Sequence, residues 1–298
     1  MTVKQAFYLT RPYSLPASIA PIIVAIVFFA MCNGFTSSRQ IGIATSALLV
    51  GLFGQIVSNL ANDLVDFKKG TDVASRKGFK RMLTTGEVSA KDVLGLMVFF
   101  TVLTALSGLV VVILSSYLLI FLGIFVLIGA FAYSYPPFSL SYRGFGEIQV
   151  FLFYGLIAVV GTYWALSHEW QYEVFALGAA MGLANTNILI VNNYRDVESD
   201  REHLKKTLAV RFGAPLMPLL YQTNILLIIF CMIPFCTSWK SAVSSLLYLL
   251  FALPICKELR NKEGEELNKV LGKTALLVLV LAVCITQTLY LHYLSPIK

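Results

Sequence analysis

Long apolar stretches, each closed by a charged residue, set the pattern of this chain. Between Arg11 and Arg39 lie 27 uncharged positions, and between Arg39 and Asp63 another 23. From Asp92 to Arg143 there are 50. As one helix that stretch would be roughly 75 Å long at about 1.5 Å per residue, against a hydrocarbon core of about 30 Å. The spacing therefore predicts two helices with a bend at Ser115-Ser116. Further uncharged runs of 21, 21, 28, 16 and 24 residues follow Glu147, Glu173, Arg211, Lys240 and Lys273. The pattern predicts an all-α, polytopic membrane protein of nine transmembrane helices, the eighth, after Lys240, being the shortest.

Nine spans put the termini on opposite faces, and the basic residues orient them. The N-terminal segment and the even-numbered loops carry 20 of the 23 Lys and Arg residues; the other side carries only Arg39, Lys240 and Lys298. By the positive-inside rule the N-terminus and the heavily basic loops are cytoplasmic and the C-terminus lies outside, in a bacterial plasma membrane. Lys4 and Arg11 precede the first span as they would in a signal peptide. No A-x-A site leads into a soluble domain and eight more spans follow, so this first span is expected to be a permanent helix.

Composition agrees. Of 298 residues, 57% are hydrophobic and 13% charged, with mean hydropathy +0.76. Soluble domains are nearer 25% charged, so an ordinary water-soluble enzyme, a disordered chain and a secreted disulfide scaffold are excluded. The net charge of +7 reflects topology and contact with anionic membrane lipid. A nucleic-acid partner would need a basic soluble face, which this pattern lacks. The five cysteines are scattered through apolar runs without C-x-x-C spacing and read as small buried hydrophobes. The three histidines are isolated.

Two clusters break the apolar pattern. The first ends the second span and runs Asn59-Leu-Ala-Asn62-Asp63-Leu-Val-Asp66-Phe-Lys68-Lys69-Gly70-Thr-Asp72; the second ends the sixth and runs Asn192-Asn193-Tyr-Arg195-Asp196-Val-Glu198-Ser-Asp200-Arg201. Both contain the frame N-x-x-x-D, as Asn62/Asp66 and Asn192/Asp196. Both fall at cytoplasmic ends, as in an internal repeat whose halves, roughly 1–145 and 146–298 of a single domain, each contribute one acidic helix end. Charged groups near a membrane core are costly and mark functional sites. Asp63 and Asp66 are three residues apart and Asp196 and Asp200 four, so each pair shares a helix face. Four carboxylates around one cavity would repel one another at low dielectric unless a cation held them. Oxygen-only ligands without His or Cys favour Mg²⁺, which usually keeps waters and bridges to a substrate phosphate. The interleaved Lys68, Lys69, Arg81, Arg195, Arg201, Lys205 and Lys206 supply phosphate-facing cations. Such a pocket, opening onto lipid, suits a lipid diphosphate whose departure leaves an allylic cation for an electron-rich partner.

The paired acidic motifs resemble those of the UbiA superfamily of intramembrane aromatic prenyltransferases. Other segments resemble its 1,4-dihydroxy-2-naphthoate polyprenyltransferase branch, which serves menaquinone synthesis: Thr10-Arg11-Pro12, Leu15-Pro16-Ala17-Ser18, Tyr135-Pro136-Pro137, Tyr142-Arg143-Gly144-x-Gly146-Glu147 and Lys206-Thr207-Leu208-Ala209-Val210-Arg211. The likeness runs from about residue 8 to Lys273-Thr274. It departs at Gly70, where the superfamily's commoner first motif has Asp, and at Phe138-Ser139-Leu140-Ser141. The resemblance implies a UbiA-like nine-helix bundle with a cytoplasmic active site. It also implies Mg²⁺-dependent transfer of a polyprenyl group from its diphosphate to dihydroxynaphthoate, with loss of CO₂, giving demethylmenaquinone. By the same resemblance Asp63, Asp66, Asp196 and Asp200 are the catalytic carboxylates. Asn62, Asp66, Asp72, Asp196 and Asp200 hold the metal. Lys68, Arg81, Arg195 and Lys205 meet the diphosphate, with Asn59 and Asn192 also lining the substrate site. Arg11 and Arg143 face the acceptor carboxylate, and Tyr133 offers its π-face to the cation.

Three other readings stay open on the residues alone. One is a prenyltransferase for 4-hydroxybenzoate or another aromatic acceptor. Another is a secondary transporter with an internal repeat, for which the acidic groups should sit mid-span. The last is a non-catalytic lipid-binding subunit.

Overall fold

The structure, a computed structural model, describes residues 1–70 and 81–293. Among these residues every regular element is helical. A short helix, α1 (Val3–Leu9), precedes α2 (Leu15–Cys32), α3 (Ser38–Lys69), α4 (Ala90–Leu114) and α5 (Leu119–Ala132). The second half begins with two small helices, α6 (Leu140–Arg143) and α7 (Gly146–Phe151). A π-helical stretch, Leu152–Ile157, then joins α7 to α8 (Ala158–Ser167), followed by α9 (Tyr172–Arg195). Two more short helices, α10 (Val197–Glu202) and α11 (Leu208–Phe212), lead to α12 (Leu216–Met232), α13 (Trp239–Asn261) and α14 (Leu267–Tyr293).

The long helices start where the chain supplies caps. Ser37 with Gln40, Ser89 with Asp92 and Ser238 with Ser241 each exchange side-chain and backbone hydrogen bonds at the starts of α3, α4 and α13. These satisfy donors that the first helical turn leaves open. At the other end of α3, Gly70 takes φ 67°, the left-handed residue that closes the helix.

Among the described residues, eight helical stretches are long and apolar enough to cross a membrane, and α5 is a ninth apolar helix of 14 residues. The short span is thus the fourth rather than the eighth, since α13 absorbs Lys240, Lys257 and Arg260 and reaches 23 residues. The 50-residue run divides where expected: α4 stops at Leu114 with Ser115 as its cap. It divides unequally because the residues after Ala132 leave the helix and fold into the acidic end of the bundle.

Packing is inverted relative to a soluble protein. On α4, Leu94, Val98, Val102, Leu106, Leu109 and Ile113 face outward, exposed, whereas buried polar groups such as Asn59, Asp63, Asp66, Asn185, Asp196 and Asp200 point inside. Apolar outside and polar within is what lipid as solvent requires. In the second half α9 lies centrally, packed on α12, α14 and the π-helical stretch, while α3 runs against α4. Close helix approach is bought by glycine: a Cβ on Gly155 would stand 2.5 Å from the Gly178 carbonyl oxygen and from the Gly182 Cα.

Candidate active site

A cavity of about 1200 Å³ runs inside the bundle between α2, α3, α4, α5, α7–α8 and α9. On α3 its lining falls at helical spacing, Ala47, Gly51, Gly54, Gln55, Ser58, Asn59, Asn62, Asp63 and Asp66. That stripe of 19 residue steps covers roughly 28 Å at about 1.5 Å per residue, close to the thickness of the hydrocarbon core. The deep part is walled by Val112, Leu119, Leu122, Val126 and Ala158. At the other end Asn62, Asp63 and Asp66 from α3 meet Asn192, Arg195, Asp196 and Asp200 from the end of α9 and α10. The two acidic motifs therefore share one mouth.

The carboxylates there are held by cations. Arg81 spans the first motif, with Nε 3.2 Å from Asp63 Oδ1, Nη1 donating to Asp66 Oδ2 at 2.8 Å and Nη2 to Asn62 Oδ1 at 3.0 Å. Arg11 also donates to Asp63. Its backbone sits at φ 52°, a strained conformation for a residue with a side chain, and Pro12 follows it. Tyr142 donates its hydroxyl to Asp66 Oδ1 at 2.5 Å. In the second motif Arg195 clamps Asp196 with two bonds of 2.7 Å, and gives two further bonds, to Asn192 at 2.7 Å and Asn268 at 2.8 Å. Lys205 joins the motifs, its Nζ 3.6 Å from Asp200 and 3.9 Å from Asp66. Asp63, Asp66, Asp196 and Asp200 are all buried, and buried carboxylates persist as anions only with such partners.

The helix breaks at Asp196 (φ −96°, ψ 8°), yet the Asp200 amide still donates to the Asp196 carbonyl at 2.8 Å. The four-residue spacing therefore keeps its geometric meaning across the kink. Gly144 locks the loop that follows. A Cβ there would lie 2.4 Å from the Lys206 carbonyl oxygen, and the Lys206 amide donates to the Tyr142 carbonyl at 2.8 Å. That contact seats Lys205 and Tyr142 side by side, Lys205 Nζ 4.7 Å above the Tyr142 ring.

Most residues singled out in the sequence line this cavity: Arg11, Asn59, Asn62, Asp63, Asp66, Arg81, Tyr133, Asn192, Arg195, Asp196, Asp200 and Lys205. Lys68, Lys69, Arg143, Arg201 and Lys206 do not. Lys68 is exposed, and Arg143, also exposed, contributes only its carbonyl, which accepts from Arg211 at 2.6 Å. Asp72 lies outside the described residues. Two residues outside the cavity lining meet beside Asp66: Lys69, already among the basic residues of the first cluster, and Tyr142, which the sequence did not single out. Lys69 rather than Lys68 turns toward the site, its Nζ 3.5 Å over the Tyr142 ring, and helical spacing already carries this: Lys69 is three residues from Asp66 and shares its face, whereas Lys68 is two away. Tyr142, beside Arg143 in the same motif, is the other.

For a divalent cation the donor set is all oxygen: four carboxylates and the amides of Asn62 and Asn192, with no His or Cys in the lining. Among the described residues no three acidic, His or Cys side chains stand together as a metal cluster. This suits a hard cation such as Mg²⁺, which takes one or two carboxylates and completes its shell with water and substrate phosphate. The residues present fit it.

The UbiA prenyltransferase family pattern matches residues 19–279. The chain belongs to the UbiA prenyltransferase family. Among relatives of this UbiA chain, the 1,4-dihydroxy-2-naphthoate octaprenyltransferase of Mycobacterium tuberculosis is 32% identical over 288 residues, 96% of each chain. That of Mycobacterium leprae is 30% identical over 287 residues, 94% of each. In fold it is similar to a UbiA homologue from Archaeoglobus fulgidus whose structure is bound to GPP and Mg²⁺, with TM-score 0.68 and 18% identity over 96% of this chain and 99% of that one. The apo UbiA homologue of Aeropyrum pernix K1 also gives TM-score 0.68, at 16% identity over 96% and 98%. The chain is an integral membrane protein built on the UbiA helical bundle.

Proposed function

We propose that this chain transfers a polyprenyl group from polyprenyl diphosphate to 1,4-dihydroxy-2-naphthoate, the step that prenylates the ring in menaquinone synthesis. The observation that carries the reading is a long apolar cavity with both acidic motifs and their arginines at its mouth. It matches one ligand with a diphosphate head and a long hydrocarbon tail. The acceptor follows from the relatives named above, which are dihydroxynaphthoate octaprenyltransferases along nearly the whole chain.

Asn62, Asp66, Asp196 and Asp200 would hold Mg²⁺, with Asp63 beside them and Asp72 as a further candidate. Bound there, Mg²⁺ supplies positive charge against the departing diphosphate. Arg81, Arg195, Lys205 and Lys69 bind the remaining diphosphate oxygens. The buried mouth excludes water from the reacting carbon. When the C–O bond to diphosphate breaks, diphosphate leaves with the electron pair and an allylic cation remains. The Tyr133 ring stabilises it by cation–π attraction. The aromatic ring then forms the new C–C bond at its carboxylate-bearing carbon. Loss of CO₂ returns the electron pair to the ring, so the product forms as the hydroquinone of demethylmenaquinone. Arg11, at the mouth, is placed to meet the acceptor carboxylate before it leaves.

The two halves, 1–145 and 146–298, act as related units of one domain, each bringing an acidic helix end to the shared mouth. That mouth faces the cytoplasm of the cell membrane, where both substrates are delivered and where the basic loops belong.

The test is an assay of the purified chain with Mg²⁺, a polyprenyl diphosphate and a panel of aromatic acceptors, read by mass spectrometry. A prenylated, decarboxylated naphthalene product is expected. A prenylated hydroxybenzoate would keep the chemistry and overturn the acceptor. Folded protein that turns over no acceptor, yet moves lipid diphosphate between leaflets of vesicles, would overturn the enzyme reading.

A further inference from the structure

Three segments far apart in sequence meet on one aromatic ring beside the mouth. Tyr142 on α6 donates its hydroxyl to Asp66 Oδ1 at 2.5 Å. Lys69, at the end of α3, has its Nζ 3.5 Å from the centroid of the same ring, and Lys205, after α10, has its Nζ 4.7 Å from it. One side chain thus touches a carboxylate of the first acidic motif and one lysine from each half of the chain. The two oxygens of Asp66 divide accordingly: Oδ1 faces Tyr142 and Lys205, and Oδ2 faces Arg81.

The backbone that carries the ring is fastened on both sides. Ser139 (φ 43°) and Gly144 (φ 80°), both in the left-handed region, bound α6. Before Tyr142, the Ser141 amide and hydroxyl both donate to the Tyr133 carbonyl, at 2.9 and 2.7 Å. After it, the Arg143 carbonyl accepts from Arg211 at 2.6 Å. The carbonyl of Tyr142 itself accepts from the Lys206 amide at 2.8 Å, next to Lys205. Tyr142 is therefore tied both to the end of α5 and to the segment that delivers Lys205. The lysines are less constrained: Lys69 is exposed, and each ammonium ends a flexible four-carbon stem whose rotamer freedom opposes any one position. Two ammonium groups on one ring also repel each other. The negative face of the ring and the Asp66 carboxylate offset that repulsion.

A diphosphate entering the mouth binds more tightly to cations already in place than to cations it must first order. We propose that Tyr142 is a positioning residue of the diphosphate site: its ring face holds the ammonium groups of Lys69 and Lys205 beside the mouth, and its hydroxyl fixes Asp66. The inference rests on the prenyl-diphosphate reading of that mouth. Tyr142 stands outside the cavity lining, so it acts through these three groups and does not touch the substrate.

The test is binding of geranyl S-thiolodiphosphate, an unreactive donor analogue, to the detergent-purified full chain with Mg²⁺. Isothermal titration calorimetry reads it without turnover. The ring at position 142 is varied through phenylalanine and its mono-, di- and trifluorinated forms, introduced by nonsense suppression. Fluorine withdraws charge from the ring face while changing its size little, so the series weakens cation–π attraction without reshaping the loop. Tyr142→Phe should keep the Kd within about threefold of wild type, because the ring remains. Along the fluorinated series the Kd should rise step by step, to about tenfold at three fluorines. Tyr142→Leu should reach at least that value. In its background Lys69→Ala should cost less than about twofold more, since the ring that placed the lysine is gone. The KM for dihydroxynaphthoate should stay near wild type throughout. A flat fluorinated series overturns the proposal, and so does a Lys69→Ala loss as large in the Tyr142→Leu background as in the wild-type chain. Wild-type protein that binds no thiolodiphosphate overturns the prenyl-diphosphate reading and this inference with it. If the series rises as expected yet no acceptor is ever prenylated, Tyr142 keeps its role and the assigned reaction falls.

Discussion

Lys205 Nζ lies 3.9 Å from Asp66 Oδ1, and this contact ties the second acidic motif to the first. The ammonium also stands 3.6 Å from Asp200 and over the Tyr142 ring, so one flexible cation touches both halves of the mouth. It occupies ground that a diphosphate between the motifs would need, and a lysine moves from carboxylate to phosphate without changing charge. Lys205→Met should raise the KM for prenyl diphosphate by about tenfold to a hundredfold, the worth of a charge-assisted hydrogen bond. Acceptor KM should stay near wild type. Steady-state kinetics with each substrate varied in turn decides it: an unchanged diphosphate KM would make Lys205 merely a structural counter-ion.

Asp66→Asn and Asp200→Asn should each abolish transfer, to below about one part in a hundred, with the fold retained. In Asp66→Asn the arginine Arg81 still has Asp63 at 3.2 Å and Asn62 at 3.0 Å, so no buried charge is left alone. Thermal unfolding in detergent should shift by only a few degrees. Chelation with EDTA should stop turnover of the wild-type chain and added Mg²⁺ restore it. Substantial turnover in both variants, or in EDTA, would remove the carboxylates from metal binding.

The nine apolar runs, the bend at Ser115 and the shared acidic mouth were legible because each depends on spacing alone. A charge cannot lie at the centre of a span, and a helix keeps a fixed rise. What spacing does not carry is how a run divides, and α5 came out short because the loop after Ala132 is drawn to the site. Nor does a motif say which of two neighbours turns inward. Arg143 looked like the functional member of Tyr142-Arg143, but α6 presents the tyrosine to Asp66 and leaves the arginine exposed.

The lysine pair gives a direct test of facing. Lys69→Ala removes a cation held 3.5 Å from the Tyr142 ring beside Asp66 and should lower kcat/KM for prenyl diphosphate about tenfold. Lys68→Ala should leave it within about twofold, since Lys68 is exposed and lacks the Tyr142 ring contact that Lys69 makes. Equal losses from the two would mean that basic charge at this helix end acts through the general field alone.

Arg11→Ala and Arg143→Ala should separate in the same manner. Arg11 reaches Asp63 at the mouth, so its loss should raise the KM for an acceptor bearing a carboxylate by about tenfold. Arg143 offers the site nothing but a backbone carbonyl bonded to Arg211, and that survives substitution. Kinetics with dihydroxynaphthoate varied at saturating prenyl diphosphate reads both variants. A large effect of Arg143→Ala would require the loop to close further over bound substrate than it does here.

Chain length should be set by the small residues along α3. Gly54 lines the shaft three turns from Asp66, and a Cβ there meets only Thr104 Cγ2 at 3.9 Å, so the backbone tolerates a side chain while the cavity does not. Gly54→Leu would place a branched group across the path of the tail without touching the mouth. Short prenyl diphosphates, whose tails end above that level, should keep their kcat/KM within a few fold. Long ones should lose about tenfold or more, because overpacking a close-packed wall costs roughly 1–3 kcal/mol. The measurement is competition between short and long donors for one enzyme, with product chain lengths read by mass spectrometry. A uniform loss across all donors would place the tail elsewhere, against the lipid rather than in the shaft.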